Sequence, residues 1–439
     1  MNLKMIRFLW GIVFSFPFEI VAQDSYQRVL RLDELFQLVD SCSKTVKSYE
    51  AAVNVADEAI RVSKNALLPE INFSASASYN GNAWVADRDF SNGQFYSSPH
   101  FGNSFSLEVS QVIFAGGAIM NQIKTSQLQS DLARLNLESE RQKVRFLLTG
   151  YYLDLYKFRN ILTVYEKNIE QTKKVIADMK AREIAGIALN NDITRYEVQL
   201  QNLLYKKTEL LSSIDVYNNQ LVTTLSLPTE TEIMPDTTLL QLPTRSYRES
   251  ELQNIAFENS PTLEITRLHI DLNRQKQKIA RAGLLPQISL IAGDNLKGPI
   301  TYEIPTINSN INTWYIGVGL RYSLSNLYKT PKEIARSYHS IRQAEKQHAA
   351  TQEKVELDVQ EAYTHYQNAF ELLRTQEKSL QLATENYEMT FNRYMNDLVL
   401  IIDLLDADNI KLSAEIQYVN AQINIVYNYY KLQYVIGTL

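Results

Sequence analysis

The chain has 439 residues, of which 45% are hydrophobic and 21% are charged, and this balance excludes a disordered protein. Its 14 glycines and 11 prolines are few for that length, so tight turns are scarce and long helices are expected. The net charge of −5 argues against a nucleic-acid partner, and a single cysteine, Cys42, excludes an intrachain disulfide.

The N-terminus has the pattern of a secretory signal peptide. Lys4 and Arg7 precede an apolar stretch, residues 8–18, and the small residue Ala22 follows shortly afterwards. The alternative is an N-terminal anchor helix, but Pro17 leaves the apolar stretch too short to span a membrane. The sequence therefore predicts export and cleavage after Ala22.

Two strands and three helices are predicted in the first half of the chain. A helix over about residues 32–66 ends at Leu67-Leu68-Pro69, because proline disfavours the helical conformation of the residue before it. Alternating apolar and small polar residues then predict strands over 71–79 and 105–110, with a polar loop between them.

From residue 119 to 183 the sequence has no proline, and apolar residues recur in steps of four and three from Val144 to Ile176. This spacing predicts a helix of roughly 90–100 Å that packs along a partner helix as a coiled coil. The helix ends near Gly186, and a second helix returns to about Ser226, so a long helical hairpin is expected.

The second half repeats this plan. Leu284-Leu285-Pro286 matches the earlier motif at an offset of 217 residues, and an offset of 211 then aligns the long helices. Strands are predicted near 288–296 and 314–324, and a heptad stripe runs from Val355 to Tyr387. The predicted organisation is a signal peptide, two structural repeats and a linker between them, at residues 1–22, 23–227, 248–439 and 228–247, respectively.

Four alternating strands per chain are too few to close a transmembrane β-barrel. Known barrels begin at eight strands, and an open edge in lipid leaves backbone groups without partners, so several copies must share one barrel. Three copies would supply twelve strands. The alternative is a soluble four-stranded sheet that caps a helical domain.

The order of these features resembles the TolC-type outer-membrane efflux proteins, and the resemblance covers the whole mature chain. It rests on the duplicated halves, the two Leu-Leu-Pro motifs, the paired long helices and the run from Asp403 to Ala407. The resemblance implies a mainly α fold with a transmembrane β portion, namely a trimeric twelve-stranded barrel that continues into an α-helical tunnel. It also implies the outer membrane of a Gram-negative cell, a periplasmic adaptor and an inner-membrane pump of the RND or ABC type.

The same resemblance implies a gate at the periplasmic tips of the hairpins. Asp403 and Asp406 match aspartates that ring the narrowest point, and three copies would place six carboxylates there. The alternative is a pair of solvated carboxylates near a helix start. Asp192 and Tyr394 match two positions that hold the hairpins closed in the family, and Asn191 is expected to add a hydrogen bond; these three are the predicted latch. The alternative for Asn190, Asn191 and Asp192 is an ordinary turn or helix-cap role.

Val399 stands where the family has an arginine of the ionic latch, so the resemblance leaves no ionic partner at that position. Gly186 and Asp397 match the turns at which adaptors dock, although a glycine at a helix end is more often a simple cap. These two residues are the predicted adaptor-docking tip.

No sequence pattern indicates an enzyme, a metal site or a cofactor. The five histidines have no metal-ligand spacing, and neither a nucleophile-elbow nor a phosphate-binding motif occurs. The function expected is an exit duct for small molecules such as drugs. A duct that exports proteins in a type I secretion system is the first alternative, and a periplasmic coiled-coil scaffold or adaptor is the second.

Overall fold

A computed structural model describes residues 26–187, 189–236 and 247–439. The predicted signal peptide lies outside the described residues, as do residues 237–246 of the predicted linker. Eight α-helices occur in the described part of the chain: α1 Leu32–Cys42, α2 Lys44–Lys64, α3 Ala118–Ile184, α4 Asn190–Thr224, α5 Glu249–Asn259, α6 Pro261–Ala282, α7 Asn326–Met395 and α8 Ile401–Val435.

The two long helices that the sequence predicts are present. α3 has 67 residues and α7 has 70, so each is roughly 100 Å long. α3 packs along α4, and α7 packs along α8, while α3 also contacts α6 and α8 of the other half. Within the described ranges, no helix is both long enough and apolar enough to cross a membrane.

The predicted apolar stripes lie on the buried faces of these helices. Val144, Leu148 and Leu155 of α3 are buried, as are Val359 and Ala369 of α7. A 3.5-residue repeat keeps one stripe against a partner helix over many turns, and this accounts for the length of both hairpins without a globular core.

In each half of the chain, the structure has two short helices where the sequence predicts one. Ser43 separates α1 from α2 and Ser260 separates α5 from α6, and both have extended backbone angles. At Ser260 the cause is Pro261, which disfavours a helical residue before it. The sequence beside Ser43 contains no such signal.

One antiparallel sheet contains the four strands that the sequence predicts, and its order is β2-β5-β7-β8. These strands are β2 Glu70–Tyr79, β5 Phe101–Phe114, β7 Gln287–Gly298 and β8 Ile311–Arg321. β5 and β7 join the two halves of the chain, with Val109 opposite Ala292. β2 and β8 therefore form the two edges of the sheet.

Four short strands were missed. β3 Ala83–Val85 and β4 Gln94–Tyr96 form a small hairpin between β2 and β5. β1 Tyr26–Leu30 pairs in parallel with β6 Thr231–Pro235, although about 200 residues lie between them in the sequence. The count of four is thus correct for the main sheet and wrong for the described chain, because pairings of three to five residues leave too little alternation to detect.

Candidate functional site

The turn between α3 and α4 closes with a left-handed residue. Gly186 has φ of 73°, and its N–H donates to the carbonyl of Glu183 at 2.8 Å. The next N–H, of Ile187, donates to the carbonyl of Arg182 at 2.9 Å. This pair of bonds is a Schellman cap, in which glycine is favoured because it has no Cβ to clash.

The turn between α7 and α8 has the same backbone geometry with an aspartate at the left-handed position. Asp397 has φ of 61°, and its N–H donates to the carbonyl of Tyr394 at 3.0 Å. Leu398 N–H donates to the carbonyl of Arg393 at 2.9 Å. Aspartate is one of the few residues other than glycine that tolerate this conformation, at a cost in backbone strain.

Arg182 of α3 contacts this second turn in three ways. Its guanidinium forms an ion pair with the carboxylate of Asp397 and donates to the main-chain carbonyl of Met395 at 2.9 Å. It also lies 5.8 Å from the centre of the Tyr394 ring. The Arg182 side chain is only 17% exposed, so the pair is partly screened from water. These contacts join the first hairpin to the tip of the second within one chain.

Apolar side chains pack directly behind the tips. Met179 of α3, Tyr196 of α4, Tyr394 of α7, and Ile401 and Leu404 of α8 belong to one buried cluster. Four helices thus meet in a single packed layer, so a displacement of α7 and α8 would expose apolar surface.

The predicted latch residues are only partly brought together. Burial raises the pKa of the Tyr394 hydroxyl, and the nearby charge of Asp192 raises it further. No hydrogen bond joins these two side chains in the described part of the chain. Asn191 is exposed in the first turn of α4. The helix-cap alternative for this segment is wrong in detail, because the cap residue is Leu189.

Asp403 and Asp406 are both exposed near the start of α8. The Asp403 carboxylate accepts the N–H of Leu400 at 3.1 Å, so it also caps the helix. Asp406 borders a groove between α4 and α8 that Arg195 and Asn202 also line. Both carboxylates are therefore open to solvent near the same end of α8.

The comparisons with known proteins concern nearly the whole chain. A profile of the family described as outer membrane efflux protein matches residues 35–224 and again residues 252–438. The chain belongs to the outer membrane efflux protein family. It is therefore a protein of the Gram-negative outer membrane, with the channel fold of that family.

Individual members of the efflux family agree with this assignment. The outer membrane efflux protein BepC of Brucella suis biovar 1 (strain 1330) is 21% identical over 390 residues, which cover 88% of this chain and 81% of the relative. The solved outer-membrane channel OprN has a TM-score of 0.77 at 16% identity, covering 93% of this chain and 90% of its own. The outer membrane protein VceC of Vibrio cholerae has a TM-score of 0.75 at 15% identity, covering 92% and 96%.

Arg182 is the tip residue that the efflux-family resemblance missed. The offset of 211 residues aligns Gly186 with Asp397 and Arg182 with Arg393. Glycine is favoured at a left-handed position, so an aspartate there indicates that its carboxylate makes a specific contact. The partner of the Asp397 carboxylate is Arg182, which lies on a different helix. Sequence spacing alone does not place α3 against the α7–α8 turn.

Proposed function

We propose that this protein is the exit duct of a tripartite efflux system, which conducts small molecules such as drugs across the periplasm and the outer membrane. One observation carries the proposal: an antiparallel sheet with two unpaired edges continues directly into helical hairpins roughly 100 Å long. In the proposed assembly, the sheet forms part of the barrel wall in the membrane and the hairpins form part of the periplasmic tunnel.

Three copies complete the wall. In lipid, the free backbone groups of β2 and β8 need partners, and the edge of a second copy supplies them. Every residue of β2 is exposed in the single chain, which supports an assembly that covers this strand. Two structural repeats, 23–227 and 248–439 with the linker 228–247, fit the double match of the family profile.

The constriction is assigned to Asp403 and Asp406, and the latch to the tip contacts. Val399 leaves the family's arginine position empty of charge, and the Arg182–Asp397 pair supplies an ionic contact from another position. Asp192 and Tyr394 contribute through proximity and packing, and Asn191 adds a polar group at the exposed end of α4.

The tips are the docking region for a periplasmic adaptor, which connects the duct to an inner-membrane pump of the RND or ABC type. Gly186 and Asp397 define the two turns, and apolar residues beside them are exposed: Ile187 is 59% exposed and Leu398 is 73% exposed. Exposed apolar side chains at a rigid turn favour contact with a protein partner.

Conductance of the purified protein in planar bilayers tests the proposal. We expect trimers that resist denaturing gels when unboiled, and cation-selective channels that multivalent cations block. Asp403→Asn with Asp406→Asn should weaken that block, because a ring of carboxylates attracts cations. Absence of channels, or a monomer in the soluble periplasmic fraction, would contradict the duct and favour a scaffold.

A further inference from the structure

A buried polar layer lies just behind the gate, and the proposed latch and constriction do not include it. Asp408 and Lys411 of α8 are 7% and 6% exposed, although charged residues are rarely buried to this degree. Asp408 is two residues beyond Asp406, but it points into the helical packing rather than toward solvent.

Each of the four hairpin helices contributes a polar group to this layer. Lys411 Nζ lies 4.3 Å from the centre of the Tyr387 ring of α7. Glu415 of α8 accepts a hydrogen bond from Asn168 of α3 at 2.8 Å. Tyr196 of α4 is 1% exposed, and its hydroxyl has no hydrogen-bond partner in the described part of the chain.

The charges that face Asp408 do not stabilise its carboxylate fully. Burial raises the pKa of Asp408 to about 6, Lys411 opposes that rise, and Glu415 adds to it. The carboxylate in turn contributes, after burial, to the raised pKa values of Tyr196 and Tyr387. A protonated carboxyl costs less to bury in this layer than a charged one, because Lys411 offsets only part of the cost of burying the charge and a neutral acid can hydrogen-bond a phenol.

We propose that Asp408 is a proton-responsive positioning residue of the gate, which binds a proton when α7 and α8 pack against α3 and α4 and releases it when they separate. This inference rests on the proposed duct function. Acidification of the periplasm would then favour the packed, closed tips.

The sign follows from linkage between packing and protonation. When the hairpins separate, Asp408 meets water and its pKa returns toward the ordinary 3.8. The packed state is therefore favoured most below pH 3.8, and that advantage is lost as the pH rises to about 6. Such a difference changes the closing equilibrium of each protomer by up to about a hundredfold.

Single-channel conductance from pH 5 to pH 7.5 tests the inference on the assembled protein. For the natural chain we expect open probability to rise as the pH increases from 5 to about 6 and to level off above that pH, and Asp408→Asn should abolish this rise and remain in the low-conductance state. Asp408→Glu should retain a step, because it keeps an acid. Glu388→Gln is the matched control, since Glu388 is an exposed acid on α7 next to Tyr387 and should leave the pH dependence unchanged.

A second measurement does not depend on conduction. Ile401→Cys, in a Cys42→Ser background, places a thiol in the packed tip layer, where Ile401 is 7% exposed. The labelling rate with Asp408 present, divided by the rate with Asp408→Asn at the same pH, cancels the ionisation of the thiol. We expect this ratio to rise by up to about tenfold between pH 5 and 7.5.

A pH-independent ratio, a conductance step that survives Asp408→Asn, or a step that Glu388→Gln removes would overturn the inference. If no channel forms at any pH while the labelling ratio still changes, the duct function fails and the proton-dependent packing stands.

Discussion

Arg182 illustrates how much one side chain contributes at the residue scale. Its guanidinium contacts a carboxylate, a main-chain carbonyl and an aromatic face, all within the α7–α8 turn. An exposed ion pair alone stabilises by about 0.2–1 kcal/mol, but a charged hydrogen bond to a carbonyl adds about 1.5 kcal/mol or more. We therefore expect Arg182 to contribute more to the proposed latch than Asp397, which mainly orients the Arg182 guanidinium.

We expect Arg182→Gln to make the resting channel leaky. Loss of roughly 1–2 kcal/mol per protomer shifts the closing equilibrium about 5- to 30-fold toward the open state. Open probability in bilayers measures this shift, and uptake of a large antibiotic by cells reports it independently. Arg393→Gln is the matched control, because Arg393 is the counterpart of Arg182 at the 211-residue offset and is exposed.

Asp397→Gly separates the effect of the left-handed backbone at this position from the effect of the carboxylate. Glycine relieves the left-handed backbone, as at Gly186, while it removes the carboxylate. We expect a channel with a well-formed turn and a weaker latch, with an effect smaller than that of Arg182→Gln. An equal or larger effect would show that the ion pair, rather than the carbonyl contact, dominates.

At the scale of elements, the two halves carry one ion pair with its charges reversed. Arg134 of α3 donates to Asp57 of α2 at 2.7 and 2.9 Å, whereas Arg274 of α6 faces Glu345 of α7 at 3.7 Å. The offsets of 217 and 211 residues align Asp57 with Arg274 and Arg134 with Glu345. If α2 took the place of α6, like charges would face each other, so the reversal favours the correct partner helices.

Arg134→Glu should therefore weaken the assembled protein, and adding Asp57→Arg should restore it. A hydrogen bond from Ser130 and then the contacts of Arg134 lower the pKa of Asp57. Its contribution is accordingly present above the ordinary pKa of 3.8 and is lost as the pH falls through the lower folded value. Urea titration of the trimer at neutral pH measures both variants, and a double variant no more stable than Arg134→Glu would contradict the pairing.

The main elements could be predicted because their patterns are long. The 67- and 70-residue helices repeat a heptad many times, and each main strand is at least ten residues long. Each helix break, at Ser43 and at Ser260, depends on a single residue. The pairing of β1 with β6 depends on a strand that is distant in the sequence. Likewise, Asp403 could be placed near a helix start, whereas the partner of Asp397 depends on how two hairpins pack.

At the scale of the whole molecule, the outward face of the sheet decides whether the protein enters the membrane. Ile316, Val318 and Leu320 alternate along β8 with small residues, and each is 68–69% exposed in the single chain. Strands of a transmembrane barrel alternate apolar residues toward lipid with other residues toward the interior, so we expect this apolar row to face the lipid.

Val318→Arg should reduce the amount of trimer in the outer membrane. An arginine in the lipid-facing row costs up to about 2–4 kcal/mol near the bilayer centre. Gly317→Ser is the control on the opposite face, where an added Cβ would meet nothing within 4 Å. Quantification of heat-modifiable trimer in membrane fractions compares them, and equal yields would mean that β8 does not face lipid.

The parallel pairing of β1 with β6 determines when β1 can fold during export. Gln27 and Glu232 contact each other across 205 residues of sequence, and Tyr152 donates to the carbonyl of Leu30 at 2.6 Å and accepts the N–H of Asp236 at 2.8 Å. During export, β1 emerges first but has no partner until residue 235 follows it. Until β6 has been exported, β1 has an unpaired edge that favours aggregation. We therefore expect periplasmic holding chaperones to bind this protein early and to release it once its first half has crossed the inner membrane.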